Sequence, residues 1–166
     1  MQDRECDEII EMAEGPSVCA PTEEVVGRDT LAVQEQCAYG MKAWAKLSYD
    51  EALARVRHAL GEHGFTIACE MDVRALMHDK LDLVFPHYTI LGVCVPEIMH
   101  QALELDRDMG LMLPFHVIVY EQGGGSVIAA VDAIAQMALV DGRDLRDLAR
   151  DAKEKLRGVI NHAGSG

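Results

Sequence analysis

The chain has 166 residues, of which 49% are hydrophobic and 26% charged, so its length and composition suit one globular domain that folds without disulfides or structural metal. Its formal net charge of −13 argues against binding to nucleic acid or to anionic membrane surfaces, because both depend on clustered Lys and Arg. The five cysteines are odd in number, irregularly spaced and without a C-x-x-C pair, which disfavours a secreted disulfide scaffold and a zinc ribbon.

The first residues lack the basic and apolar regions of a signal peptide, and the longest charge-free stretch is too short and too polar to span a bilayer. We therefore expect a cytoplasmic protein with no membrane segment and with reduced thiols.

Residues 1–37 are predicted to be an acidic N-terminal extension or linker, because ten acids and only two bases fall within residues 1–38. The extension has one apolar cluster, formed by Ile9, Ile10 and Met12, that could make a short helix before a stretch rich in Pro and Gly. We expect this segment to lie outside the core, so that its removal leaves the fold intact. Its cysteines, Cys6, Cys19 and Cys37, are then incidental.

Alternation of apolar and polar residues over 41–47 predicts the first strand. Ser48 and Glu51 form a capping-box pattern that starts a helix, and Gly64 is placed to close it in the left-handed conformation. A second strand is predicted from Phe65, because Phe65, Ile67, Cys69 and Met71 alternate with Thr66, Ala68, Glu70 and Asp72.

Residues 73–81 could form a short helix with Val73, Leu76 and Met77 facing inward. The nearly continuous apolar run over 88–95 predicts a central strand covered on both sides or at a tight interface, and Pro96 opens the next helix at its preferred first-turn position.

The run from Phe115 to Glu121 predicts a strand, and the three glycines over 123–125 predict a hairpin with a loop slightly longer than two residues. Asp144 and Asp147 are predicted to cap the last helix, and residues 161–166 to form a frayed C-terminus. The order of the elements predicts an α+β fold, a two-layer sandwich of one mostly antiparallel sheet with helices on one face.

Three strings in the predicted domain, residues 38–160, resemble a known bacterial and archaeal family. They are Ser48-Tyr49-Asp50-Glu51 leading to Gly64-Phe65, the run Tyr88 to Pro96, and the run Leu111 to Tyr120. The family is the one called domain of unknown function 302 (DUF302). The resemblance implies a two-layer fold of the TATA-binding-protein-like type and no assigned activity. Members often have Cys after the Leu-Pro pair, where this chain has Phe115, so a mechanism with two thiols at those positions does not carry over.

The leading functional hypothesis is a binding module for a small ligand, a soft metal or haem, with its site at strand ends marked by Cys94, Pro96, Pro114 and His116. Cys94 precedes a helix whose N-terminus favours a thiolate, and a Cys94–His116 pair could bind a soft metal or haem iron. The simpler interpretation is that Cys94 is a small buried hydrophobe and that His116 is hydrogen-bonded at a strand end.

Two further hypotheses stay open. Cys94 could serve thiol chemistry as a sulfur carrier or redox sensor, or the chain could be a structural protein whose sheet or an exposed patch forms a homodimer. No catalytic residue can be assigned from the sequence, and whether the chain is an enzyme stays undecided.

Overall fold

The computed structural model describes residues 34–138, 140 and 142–165. The Ile9, Ile10 and Met12 cluster and Cys6 and Cys19 lie outside the described residues. The elements in chain order are β1 (Gln34–Cys37), β2 (Gly40–Ala45), α1 (Tyr49–Glu62), β3 (Thr66–Asp72), α2 (Val73–Leu81), β4 (Tyr88–Cys94), α3 (Pro96–Leu105), a 3-10 turn (Arg107–Leu111), β5 (Phe115–Gln122), β6 (Gly125–Val131), α4 (Ala133–Gln136) and α5 (Arg143–Gly164).

The strands of the described residues form one antiparallel sheet in the order β1-β2-β6-β5-β4-β3. Helices α1 and α5 pack against each other and against the central strands. The core lies between these helices and one face of the sheet, where alternate strand residues such as Ala43, Leu91, Val117 and Ile128 are fully buried. The predicted α+β sandwich is confirmed.

Helix α1 begins and ends as its sequence predicts. The Ser48 side chain accepts from the backbone amide of Glu51, and the Glu51 carboxylate accepts from the backbone amide of Ser48, which completes the capping box. Hydrogen bonds from the Ser48 side chain and backbone lower the pKa of Glu51. At the other end Gly64 has a φ of +79°, a left-handed conformation that glycine adopts without steric cost.

The β5–β6 hairpin is tighter than predicted. Gln122 pairs directly with Gly125, so the loop has two residues, Gly123 and Gly124, with φ of +62° and +73°. Two successive positive φ values define the type I′ turn, whose twist matches that of the flanking strands. The three glycines therefore form a turn and the start of β6.

Several boundaries differ from the prediction. Strand β1 lies in the last four residues of the segment predicted to be an extension, and it pairs with β2, so the boundary after residue 37 falls inside a hairpin. Helix α5 begins after Gly142 with no side-chain cap, so the prediction that Asp144 caps it is wrong. The C-terminus is not frayed from residue 161, because α5 continues to Gly164 with Ala163 buried.

Among the helices of the described ranges, none combines the length and the apolar character needed to cross a bilayer.

Candidate functional site

The candidate site lies on the sheet face opposite α1 and α5. Side chains alternate between the two faces of each strand, so Gly92 and Cys94 of β4 and His116 and Ile118 of β5 point away from the helical layer. Cys94 is buried but does not belong to the core cluster between sheet and helices, which agrees with this assignment. We call this surface the outer face.

The strand register arranges the outer face in rows that cross several strands. One row runs through Lys42, Ala129, Ile118, Ile90 and Met71, which are paired neighbours from β2 to β3. Its middle three residues, Ala129, Ile118 and Ile90, are apolar, and Ala129 is the smallest of them.

The next row, toward the end of β4, runs through His116, Gly92 and Cys69. The row on the opposite side of the apolar row joins Trp44, Val127, Tyr120 and Tyr88. The apolar row is therefore flanked by an imidazole and a thiol on one side and by aromatic rings on the other.

A groove of about 240 Å³ lies over β2, β6 and β5 on the outer face. Its floor is made by Ile118, Ala129 and Val131, and the exposed side chain of His116 lies at its edge. We call it the outer-face groove. Its full lining is Tyr39, Gly40, Met41, Lys42, His116, Ile118, Tyr120, Ala129, Ala130 and Val131.

Three of the four residues singled out in the sequence surround Gly92. His116 is its cross-strand partner, Cys94 lies two residues further along β4, and the ring of Pro114 covers it. Cys94 and His116 are thus diagonal neighbours on adjacent strands, a placement that separates Cα atoms by about 7–8 Å. Pro96 is the exposed first residue of α3.

Cys69 was missed as a site residue because of an irregularity in β3. The pairing of β3 with β4 shifts register between Ile67 and Cys69, so Ile67 packs against the core while Cys69 and Met71 are exposed. The alternation in the sequence therefore does not place Cys69 and Met71 in the core. Leu76 on α2 was predicted to face inward, and this is wrong, because Leu76 is 39% exposed.

Gly92 is required by the close approach of its neighbours. A Cβ atom at this position would collide with Cys69 Sγ and would lie 2.9 Å from Cγ of Pro114. The sulfur of Cys69 thus covers Gly92 from the side opposite His116. Cys69 and His116 therefore stand on either side of Gly92, on strands roughly 9–10 Å apart.

Aromatic rings form the other border of the outer face. Tyr88 and Tyr120 stack at 5.2 Å between ring centroids, and Phe85 packs against Tyr88 at 6.3 Å. Burial, with a smaller contribution from Tyr120, raises the pKa of Tyr88 above its ordinary value of 10.0. Trp44 extends this border, since its indole N–H donates to the carbonyl of Gln122 at 3.0 Å.

This arrangement provides an apolar groove with polar groups at its edges, as in many small-molecule sites. A metal held by Cys94 and His116 stays a prediction from the sequence. Among the residues that the structure describes, the one group of three or more His, Cys, Asp or Glu side chains with ligand atoms within 4.8 Å of one another lies elsewhere, at His58, Glu62 and His162.

Fold and site together define a class, an α+β sandwich whose sheet is covered by helices on one face and carries a candidate small-molecule site on the other. The family model for the domain of unknown function DUF302 matches residues 41–163, which is most of the chain. The protein belongs to the DUF302 family.

One solved structure supports the fold independently. It is the crystal structure of an uncharacterized conserved DUF302 protein from Bacillus stearothermophilus, with a TM-score of 0.71 and 20% sequence identity. The match covers 76% of this chain and 99% of the other, and at this identity it speaks for the fold alone. A comparison with curated proteins found no match.

Proposed function

We propose that this domain binds a small, flat, mainly apolar molecule in the outer-face groove, with His116 as its polar contact. The observation that carries the proposal is the exposed imidazole at the edge of an apolar groove, on the sheet face opposite the helical layer. Ligand sites generally combine an apolar lining with a few polar groups that fix orientation.

The dimensions of the groove limit the ligand. Its volume of about 240 Å³ is slightly below the roughly 300–1,000 Å³ of enclosed sites for drug-sized molecules. The ligand is therefore small, or it rests one face on the sheet and leaves the other to solvent. The floor of Ile118, Ala129 and Val131 suits a planar body.

Haem is a flat molecule of this class that His116 could bind in another way. Its imidazole nitrogen can ligate haem iron instead of forming a hydrogen bond. A porphyrin is larger than the groove, so it would extend beyond it over neighbouring parts of the outer face. When bound, haem would supply redox or gas-binding chemistry, while Ile118 and Ala129 would contact the ring. Haemin is therefore one arm of the test.

The proposal is tested by titrating the full chain with two probes, the fluorescent aromatic anilinonaphthalene sulfonate and haemin. Ala129→Phe should weaken binding of both probes at least about tenfold, because the added ring occupies the groove and blocks contact of a ligand with the apolar floor. His116→Ala should weaken naphthalene sulfonate binding by about fivefold, which corresponds to one hydrogen bond of about 1 kcal/mol. If haem is held through its iron, His116→Ala should also abolish the shift of its main absorption band.

Matched controls separate the groove from nonspecific apolar binding. Ala54→Phe adds the same ring at an exposed position of α1, and His100→Ala removes an exposed imidazole from α3. Both variants should bind as the unmodified chain does. Equal affinity of Ala129→Phe and Ala54→Phe for both probes would contradict the proposal.

A second candidate function is thiol chemistry, which the exposure of Cys69 favours. Cys94 is only 7% exposed, whereas Cys69 is exposed and lies across Gly92 from His116. An accessible thiol activated by an imidazole is the usual setting of a reactive cysteine, and this candidate requires the His116 ring to reach Cys69 across Gly92. In this version Cys69 is the reacting group and Cys94 a buried neighbour, so the role first assigned to Cys94 moves to the exposed thiol.

Alkylation by iodoacetamide, followed by mass spectrometry of the peptides, tests the thiol function. Cys69 should react faster than a model thiol and should slow in His116→Ala, while Cys94 should react only when the protein unfolds. A rate for Cys69 equal to that of a model thiol would remove this candidate.

A further inference from the structure

A second group of metal-ligating side chains lies on the helical layer, away from the outer-face groove. His58 and Glu62 are four residues apart in α1 and therefore lie on one face of that helix. His162 comes from the last turn of α5, which packs against α1. We call His58, Glu62 and His162 the helix-end cluster.

The separations in the cluster fit a single metal ion. His162 Nδ1 lies 3.0 Å and His58 Nδ1 lies 3.5 Å from Glu62 Oε2, and the three ligand atoms all lie within 4.8 Å of one another. Two ligands at zinc bonding distances of 2.0–2.1 Å from a tetrahedral centre are about 3.4 Å apart. Small side-chain rotations would therefore place all three atoms on one ion.

Residues around the helix-end cluster hold the end of α5 against α1. Arg55 Nη1 of α1 donates to the carbonyl of Ser165 at 3.0 Å, which fastens the end of α5 beside α1. His63 lies against Gly158, where a Cβ atom would collide with its ring, and it stands edge-on to His162. Gly158 is one turn before His162 in α5. The side of α5 that faces α1 therefore contacts the His63 ring at Gly158 and carries the His162 imidazole one turn later.

The geometry points to a Zn²⁺ site formed by His58, Glu62 and His162, with a further coordination position open to solvent. Two imidazoles and one carboxylate are a ligand set that Zn²⁺ uses in proteins when it keeps one position for water. The three side chains are between 48% and 68% exposed, so an ion can reach them from solution. The net charge of −13 favours the approach of a divalent cation.

The test uses the full chain without an affinity tag, freed of metal with a chelator and titrated calorimetrically with Zn²⁺. We expect one ion per chain, and a thermal midpoint that rises with Zn²⁺ concentration because the ion links α1 to α5. His162→Ala, Glu62→Gln and His58→Ala should each weaken binding at least about tenfold, since even loss of an outer-shell partner costs 10–100-fold. Glu62→Gln preserves shape and His58 is exposed, so these two should stay folded if His162→Ala does not.

Matched controls are His78→Ala, which removes an exposed imidazole beside Asp79 on α2, and His116→Ala on the outer face. Both should bind Zn²⁺ with unchanged affinity. The visible absorbance of the chain with bound Co²⁺ is a second measurement. We expect a strong band, because Co²⁺ with few ligands absorbs visible light far more strongly than six-coordinate Co²⁺. Absence of Zn²⁺ binding, equal binding by Glu62→Gln, or loss in His116→Ala would each overturn the proposal. The outer-face groove is tested separately, since Ala129→Phe should leave Zn²⁺ binding unchanged.

Discussion

At the scale of single residues, the sequence predicted the neighbourhood of the candidate site but not its composition. Cys94, Pro114 and His116 were identifiable because proline and strand patterns mark the ends of β4 and β5. Cys69 was not, because its exposure depends on a register shift against β4 that strict alternation cannot reveal. The collision that a side chain at Gly92 would cause likewise depends on residues distant in sequence.

Tyr88 provides a test of outer-face packing at this scale. Burial raises the pKa of its phenol above 10.0, so the group stabilises the fold while protonated, and this stabilisation is lost as the pH rises through the raised value. Titration followed by near-ultraviolet absorbance should show a tyrosine that ionises late, and Tyr88→Phe should remove it. Tyr49→Phe, whose ring lies at the start of α1, should leave that component in place. A late component that persists in Tyr88→Phe would contradict this assignment.

At the scale of elements, local patterns predicted the helices and strands well. Errors arose where tertiary contacts determine at which residue a helix or strand begins or ends. The capping box of α1 is a local signal and was confirmed. The start of α5 is different, because this helix follows Gly142 without a side-chain cap. Asp132 caps the preceding helix, α4, where it accepts from the amides of Ile134 and Ala135. Asp132 also pairs with Lys153 of α5 at 2.6 Å, an interaction across 21 residues that no local pattern contains.

The Asp132–Lys153 pair should stabilise the junction of β6, α4 and α5. Partial burial raises the pKa of Asp132, but hydrogen bonds from Lys153 and from backbone amides outweigh it and lower the pKa below its ordinary value of 3.8. A lowered pKa means that the stabilisation is present above about pH 3.8 and is lost as the pH falls through the folded value. Lys153→Met should therefore lower the free energy of unfolding by about 2 kcal/mol at neutral pH, between the values for exposed and buried pairs.

Denaturant titration of both proteins at several pH values checks this prediction, and the difference between them should shrink in acid. Lys155→Met is the matched control, because Lys155 meets Asp151 at 3.9 Å on the exposed side of α5, and it should change stability by less than about 1 kcal/mol. Equal effects of the two substitutions would show that the Asp132 pair has no special role.

At the scale of the whole molecule, the resemblance to DUF302 and the α+β sandwich were correctly predicted, while the N-terminal boundary was not resolved. The family match begins at residue 41, and composition changes near residue 38. Strand β1 is too short to be recognised from its sequence, and it pairs with an edge that only the folded sheet presents. The sheet therefore begins at Gln34 among the described residues.

Two truncations measure what β1 contributes. A chain that begins at Gln34 retains the β1–β2 pairing, and a chain that begins at Ala38 leaves β2 without that partner. The second should melt a few degrees below the first, about the shift expected for 1 kcal/mol in a domain of this size. Identical midpoints measured by circular dichroism would show that β1 adds nothing, and loss of cooperative unfolding in both would show that residues before Gln34 are structural.

The central claim is that the outer face binds a small apolar ligand at His116, and two-dimensional amide NMR tests it most directly. On addition of anilinonaphthalene sulfonate to the ¹⁵N-labelled chain, the account predicts shifts confined to the strands that line the groove, at Lys42, His116, Ile118, Ala129 and their neighbours. Ala129→Phe should suppress these shifts. Shifts on α1 and α5, or shifts that instead follow protein concentration and so reveal a second copy on the outer face, would contradict it.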